Sequence, residues 1–146
     1  MYKHLLIATD GSDLAARAVT AGLTLARHLH AKVTIVTATQ PWSAMTDGEG
    51  FAFDFPIEEY EKAAVAQAQR ILARVSDEAK TAGVNCETVQ VRDFPAEAIL
   101  ATANARGCDL IVMASHGRQG MARLLLGSQA ARVVTMSSIP VLICRA

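Results

Sequence analysis

The strongest constraint on this chain lies between Asp109 and Ala131. Leu110-Ile111-Val112-Met113-Ala114 is an apolar run of strand length, Ser115 to Leu126 follows as a loop carrying Gly117 and Gly120, and Gly127-Ser128 opens a helix. A strand that ends in glycines and restarts as a helix is a place to hold an anion. Peptide N–H groups at Gly117 and around Gly127, Ser128 and Gln129 can converge on one point, and the new helix adds the positive end of its dipole there. Phosphate is the guest that suits such a loop. Arg118, Arg123 and His116 lie within it, and no Asp or Glu falls between Asp109 and the C-terminus, so the local field favours a negative ligand.

The residues before this stretch repeat the strand-turn-helix theme. Lys3 to Thr9, with His4-Leu5-Leu6-Ile7-Ala8 nearly unbroken in apolarity, reads as a central parallel strand covered on both faces. Asp10-Gly11-Ser12 breaks it. Ser12 can cap a helix to Leu29, whose face is marked by Leu14, Ala18, Ala21, Leu25 and Leu29 with Val19 and Ala26. Lys32 to Ala38 is β-branched and makes a second strand. Ile57 to Ala82 is a long helix with Glu58, Glu59 and Glu61 near its positive end; Tyr60, Ala64, Ala68, Ile71, Val75 and Ala79 supply a buried stripe, and Gly83 stops it. Val84 to Arg92 is a third strand, interleaved with polar residues and so placed nearer an edge. Pro95 to Arg106 is a short helix with proline in its first turn and Gly107 beyond its end. Ser128 to Met136 is the last helix and Val141 to Cys144 the last strand. Alternation at this spacing means an α/β fold, a parallel sheet with helices on both faces.

One segment stands apart. Gln40 to Phe55 holds Gly48 and Gly50, is bounded by Pro41 and Pro56, and carries four of the seven aromatic residues, Trp42, Phe51, Phe53 and Phe55. It reads as a long loop, either a lid or partner surface, or an irregular connection whose rings plug the base of the next helix.

Length and charge then limit the function classes. The 146 residues suffice for one domain with one core. No apolar run approaches the roughly 20 residues of a membrane span, and no signal-peptide pattern opens the chain, so a soluble cytoplasmic protein is expected. Fourteen basic residues balance fourteen acidic ones, which gives no global field toward nucleic acid or anionic membrane. Cys86, Cys108 and Cys144 are far apart, form no Cys-x-x-Cys pair, and read as reduced core thiols.

Ser115-His116-Gly117, nine residues, then Gly127-Ser128 resembles the phosphate loop of the universal stress protein family, whose nucleotide-binding members show Gly, two residues, Gly, nine residues, Gly, Ser or Thr. Gly117, Gly127 and Ser128 match; Ala114 stands where the first glycine belongs. The opening strand ending Ala8-Thr9-Asp10-Gly11-Ser12 and the closing Ile139-Pro140-Val141-Leu142-Ile143-Cys144 extend the likeness over nearly the whole chain. The resemblance implies a single domain over residues 1–146, Rossmann-like and doubly wound, with five parallel strands in the order 3-2-1-4-5. That order sets Asp10 beside the loop after the fourth strand, where such sheets bind ligands. It further implies that Thr9 and Asp10 meet the base or ribose of an adenine nucleotide, that Ala38 lies against adenine, and that Met113 lines the floor. Gly120 and Arg118 lie inside the loop but outside the family's defining positions. Family members dimerise through the last strand, so Val141 to Cys144 is expected to pair with its twin and cover an apolar edge.

Other chemistries fit less well. There is no Gly-Lys dipeptide, hence no Walker A loop, and no Gly-x-Gly-x-x-Gly after a strand. Asp10, Ser115 and His116 do not make a hydrolase triad: Ser115 and His116 are adjacent, and neighbouring side chains in an extended segment point apart. His4, His28, His30 and His116 show no compact metal spacing; His28 and His30 suit the negative end of the first helix. Mg²⁺ can accompany a bound triphosphate, with Asp10 as the nearby carboxylate. Two functions stay open. One is a cytoplasmic stress-response sensor or adaptor that binds ATP, with hydrolysis slow or absent because no general base is evident. The other is a nucleotide-free dimeric interaction module, for which Ala114 is the discriminating residue.

Overall fold

The computed structural model describes residues 1–41, 56–117 and 125–145, and among these strands and helices alternate. The elements are β1 (His4–Ala8), α1 (Asp13–Leu29), β2 (Lys32–Thr39), α2 (Ile57–Ala82), β3 (Cys86–Arg92), α3 (Pro95–Ala105), β4 (Leu110–Ala114), α4 (Ser128–Met136) and β5 (Val141–Cys144). All pairings are parallel and the order is β3-β2-β1-β4-β5, so β1 is central and β3 and β5 are the edges. Boundaries read from the sequence agree to within two residues. Gln40 and Pro41 have no regular structure; the rest of the expected aromatic loop, 42–55, lies outside the described residues.

Each face of the sheet has its own core. Leu5 and Ile7 of β1, with Val33, Ile35, Leu110 and Val112, pack beneath α1 and α2, which contribute Val19, Leu23, Leu72 and Val75. Leu6, on the opposite side of β1, joins Val36, Ile111 and Met113 under α3 and α4, represented by Ile99, Ala103, Ala130 and Val133. The alternation follows from the two-residue period of a strand. Burying each Leu, Ile, Val or Met among them stabilises by about 1.5–3 kcal/mol.

The face of α1 differs from its expected pattern. Its buried residues are Ala15, Ala18, Val19, Gly22, Leu23 and Ala26, and Leu25 and Leu29 pack half-buried against the core as expected, whereas Ala21 is exposed and Leu14 is only partly covered. Gly22 is the reason. A Cβ there would lie 2.6 Å from Cδ1 of Ile7 and 3.4 Å from Cγ1 of Val112, so the bare backbone at 22 sits directly on the sheet. In α2 the stripe is Ala68, Leu72, Val75 and Ala79; Tyr60, Ala64 and Ile71 are half-buried.

A polar chain ties the strands at the end opposite their C-termini. Thr34 Oγ1 donates to Glu87 Oε1 at 2.8 Å, so it accepts from His4 Nε2–H at 2.7 Å. Arg106 completes the line with an ion pair to Glu87 at 2.9 Å. Burial, with Lys32 adding to it, holds the His4 imidazole below its ordinary value, and the Thr34 hydroxyl holds Glu87 below the usual carboxylate range. Asp109 accepts from the backbone N–H groups of Lys3 and His4 at 2.8 and 3.0 Å. Burial pushes its carboxyl up, but those bonds outweigh it and the net direction is down.

Candidate functional site

The site is built where β1 and β4, neighbours at the centre of the sheet, both end. After β1, Thr9 N–H donates to Val36 O at 3.0 Å, and the chain turns through Gly11, whose φ of 81° lies in the left-handed region that glycine enters most easily. Two side chains stiffen that turn: Thr9 Oγ1 accepts from Gly11 N–H at 3.1 Å, and Asp10 Oδ1 accepts from Ser12 N–H at 2.9 Å. Ser12 caps α1 as expected, its hydroxyl accepting from Ala15 N–H at 3.2 Å. The second carboxylate oxygen of Asp10 faces the other strand's loop. A Cβ on Gly117 would stand 3.0 Å from Asp10 Oδ2, so the turn after β1 and the loop after β4 touch, and a glycine makes room for that touch.

Beyond β4 the chain is pinned by its backbone. Ser115 N–H donates to Cys144 O at 2.8 Å, and Ser115 O accepts from Gly127 N–H at 2.7 Å. This corrects one expectation. The Gly127 N–H is spent on Ser115 and does not point at an anion. What Gly127 contributes is space: a Cβ there would meet Ser115 O at 3.2 Å, His116 Cα at 3.4 Å and His116 Cδ2 at 3.5 Å. It is also the N-cap of α4 and supplies no side-chain cap, so the first-turn N–H groups of Ser128 and Gln129 remain the helix's donors toward the site. The Ser128 side chain is exposed there.

A second correction concerns Ser115 and His116. Their side chains do not point apart: Ser115 Oγ and His116 Nδ1 are 2.9 Å from each other. The strand has already ended at Ala114, and the chain bends at 115 and 116, so the alternation that would separate neighbours no longer applies. Ser115 is 1% exposed, a buried hydroxyl joined to a ring whose Nε2 is shut off from water and has no hydrogen-bond partner among the described residues.

The remaining expected residues fall around this centre. Met113 is buried in the core beneath α3 and α4. Ala114, 8% exposed, is paired with Cys144, an extended position that alanine fills without strain. Ala38 is half-buried near the end of β2, in register with Val91. Gln129 uses its side chain elsewhere, Oε1 accepting from Ala96 N–H at 3.0 Å. Because α3 has no side-chain cap of its own, this bond, with the Arg132–Glu97 ion pair at 2.6 Å, locks α4 to the first turn of α3. Arg118, Gly120 and Arg123 lie outside the described residues. Among those described, no cluster of three or more His, Cys, Asp or Glu is placed to hold a metal, and no helix is long and apolar enough to cross a membrane.

Ser115 is the residue that sequence reasoning undervalued. Its only signal was its place, the first residue past a fully buried strand, and two of its three bonds, to Cys144 and Gly127, come from parts of the chain that no local pattern connects to it.

Past the end of β4, Gly117 faces the carboxylate of Asp10 and Gly127 faces Ser115 and His116, with the first turn of α4 following directly. Comparison with known proteins agrees with the fold. The model of the universal stress protein family matches residues 1–145. Universal stress protein YxiE of Bacillus subtilis is 33% identical over 149 residues, covering 99% of this chain and 100% of its own. The structure of MJ0577 from Methanocaldococcus jannaschii superposes with a TM-score of 0.85 at 25% identity, over 100% of this chain and 97% of that one. A universal stress protein solved in complex with cAMP superposes at 0.72 with 34% identity, over 97% and 96% of the two chains.

Proposed function

The chain belongs to the universal stress protein family, and on that premise we propose that it binds an adenine nucleotide where β1 and β4 end and acts as a stress-response sensor or adaptor. The observation that carries this reading is the meeting of Asp10 with Gly117 beside the α4 N-terminus. It creates one spot where phosphate donors and a carboxylate suited to a ribose hydroxyl lie together. The cAMP complex of the 34% identical relative supports the ligand class.

In this reading the phosphates lie against the Gly117 loop and accept from Ser128 and Gln129 N–H and from the Ser128 hydroxyl. Thr9 and Asp10 meet the ribose or base, Ala38 lies against adenine, and Met113 is the floor. Arg118 adds positive charge near the phosphates, and Gly120 is a candidate contact from the same stretch of sequence. Hydrogen bonds to a charged group contribute roughly 1.5–3 kcal/mol each, so three or four of them sustain micromolar binding, about −8 kcal/mol. ATP is the proposed ligand, with Mg²⁺ entering on the triphosphate and Asp10 as the carboxylate on its side. The sensor is cytoplasmic and forms one domain over residues 1–146, and its hydrolysis is at most slow.

Dimerisation belongs to the same proposal. β5 is an edge strand, and Leu142 on it is 40% exposed. An open apolar edge is a template for another strand, and a second copy of β5 covers it.

Calorimetric titration of the wild-type protein and Ser128→Asp with ATP, AMP and cAMP tests the site. The aspartate sets a negative charge against the phosphates while suiting the positive end of α4, so the variant should keep its fold and lose binding. Equal affinity in both proteins overturns the site. The alternative, a nucleotide-free interaction module, rests on Ala114 and predicts that the wild type takes up none of the three.

A further inference from the structure

At the end of the sheet opposite the Asp10 turn, the last turns of α1 and α2 and the starts of β2 and β3 border a cleft of about 310 Å³. That is the small end of the roughly 300–1,000 Å³ that clefts for small molecules occupy. Its frame is fixed. Each helix closes on a left-handed residue, His30 at φ 55° and Gly83 at φ 73°, and the next N–H groups, of Ala31 and Val84, donate back to Ala26 O and Ala79 O at 2.9 Å. Val33 N–H ties the two strand starts together by donating to Asn85 O at 2.9 Å. From this frame the side chains of Arg27, His30, Lys32 and Asn85 line the cleft beside Ala31 and Val84. No Asp or Glu lines it, and none occurs in the sequence between Asp13 and Asp47.

Closing the helix does not require these side chains. Ala26 O and Arg27 O accept from the N–H groups of Ala31 and His30, and the ring that serves the end of α1 is that of His28, whose Nδ1–H donates to Thr24 O at 2.8 Å. Among the described residues neither Arg27 nor Lys32 belongs to an ion pair. The carboxylates at this end of the sheet are engaged elsewhere, Glu87 by Thr34 and Arg106 and Asp109 by the N–H groups of Lys3 and His4. His30 also holds a left-handed position that α2 gives to glycine, so the chain keeps a side chain where glycine is least strained. Charges of one sign around a cleft concentrate the field inside it. We propose that this cleft is a separate anion site, independent of the nucleotide reading, and takes a small oxyanion with two or more negative charges. The Arg27 guanidinium bonds two of its oxygens, Lys32 supplies a point charge, and the His30 ring and Asn85 amide donate to the others. A diphosphate group and a polycarboxylate share this chemistry.

The test titrates the full chain with inorganic pyrophosphate, citrate and acetate and follows ¹H–¹⁵N spectra. Pyrophosphate, citrate or both should move the amide signals of His30, Gly83 and Asn85 along a curve that saturates at millimolar concentration or below. Comparing the two tells whether the site takes phosphates or carboxylates, while acetate, with a single charge, should not saturate it. Replacing both cations, Arg27→Gln with Lys32→Gln, changes only exposed positions and should weaken the Kd read from those signals by at least about 10-fold. His30→Gly should weaken binding too while holding or raising the melting temperature, a combination that a purely structural histidine would not give. The site is overturned if neither pyrophosphate nor citrate shifts these signals to saturation, if the shifts are confined to Gly117 and Ser128 at the far end of the sheet, or if the double variant keeps the wild-type Kd.

Discussion

Gly117 and Gly127 have different neighbours, and that difference predicts different outcomes for one substitution. Around Gly127 the atoms facing a new Cβ are main chain, Ser115 O at 3.2 Å and His116 Cα at 3.4 Å, and both are tied down by the Ser115–Cys144 and Gly127–Ser115 bonds. They cannot yield without loosening the link between β4 and α4. Gly127→Ala gains about 0.4–1 kcal/mol from a less disordered unfolded chain, since its φ of −69° suits alanine. Against that stand about 1–3 kcal/mol of overpacking and about 0.5 kcal/mol for an alanine N-cap. The net is a destabilisation of about 1–2 kcal/mol, or a melting temperature lower by about 3–8 °C for a protein of this size. Around Gly117 the facing atom is the end of a side chain, Asp10 Oδ2 at 3.0 Å, which can give by a few tenths of an ångström while Oδ1 keeps its bond from Ser12 N–H. Gly117→Ala should stay within about 0.5 kcal/mol of wild type, yet weaken nucleotide binding by displacing Asp10. Urea unfolding followed by circular dichroism, with an ATP titration of each variant, separates the two effects. A Gly127→Ala protein as stable as wild type would refute the reasoning, because the pinned backbone would then have room to give.

Other perturbations have equally definite outcomes. Gly22→Ala should destabilise by about 1 kcal/mol despite alanine's better helix propensity, and Ile7→Val, which removes the Cδ1 atom 2.6 Å away, should relieve it, giving a double-mutant coupling of at least about 1 kcal/mol in urea unfolding. His4 has a folded-state pKa below its ordinary 6.5, so the unfolded chain binds the extra proton first: stability is full above 6.5 and falls as pH drops below it, levelling only beneath the folded value. His4→Gln, which can still donate to Thr34, should remove that step from a plot of urea midpoint against pH. Leu142→Lys should leave a 15.5 kDa monomer in light scattering where the wild type shows twice that mass. Ala114→Gly should weaken β4 by about 0.5–1 kcal/mol, and it raises ATP affinity only if the Ala114 methyl group limits access.

The fold was legible because nearly every element announced itself locally. The apolar runs at Leu5, Val33 and Leu110 could only be covered strands, and the breaks at Asp10-Gly11-Ser12, Gly83 and Gly107 sit where the chain turns. The strand order was another matter: it came from likeness to a family, since nothing local in β1 says that β2 and β4 flank it. The error in α1 has a similar origin. Counting apolar residues favours Leu14 and Ala21, but Gly22 decides the buried face by letting the helix approach Ile7, and a glycine adds nothing to a hydrophobic pattern. In the site, the glycines and Ser128 were visible as a motif, and the contact between Asp10 and Gly117 followed from the expected topology. The Ser115–His116 pair, the use of Gly127 N–H by Ser115 and the side-chain reach of Gln129 to α3 were not visible, because each depends on where a bend or a helix end falls in space.

The central claim is nucleotide binding at the ends of β1 and β4, and native mass spectrometry of the freshly purified protein tests it most directly. The expected spectrum is a dimer carrying one adenine nucleotide per protomer, or an empty dimer that fills to that stoichiometry when ATP or AMP is added at micromolar concentration. A dimer that stays empty at millimolar ATP and AMP would contradict the claim and favour the nucleotide-free interaction module.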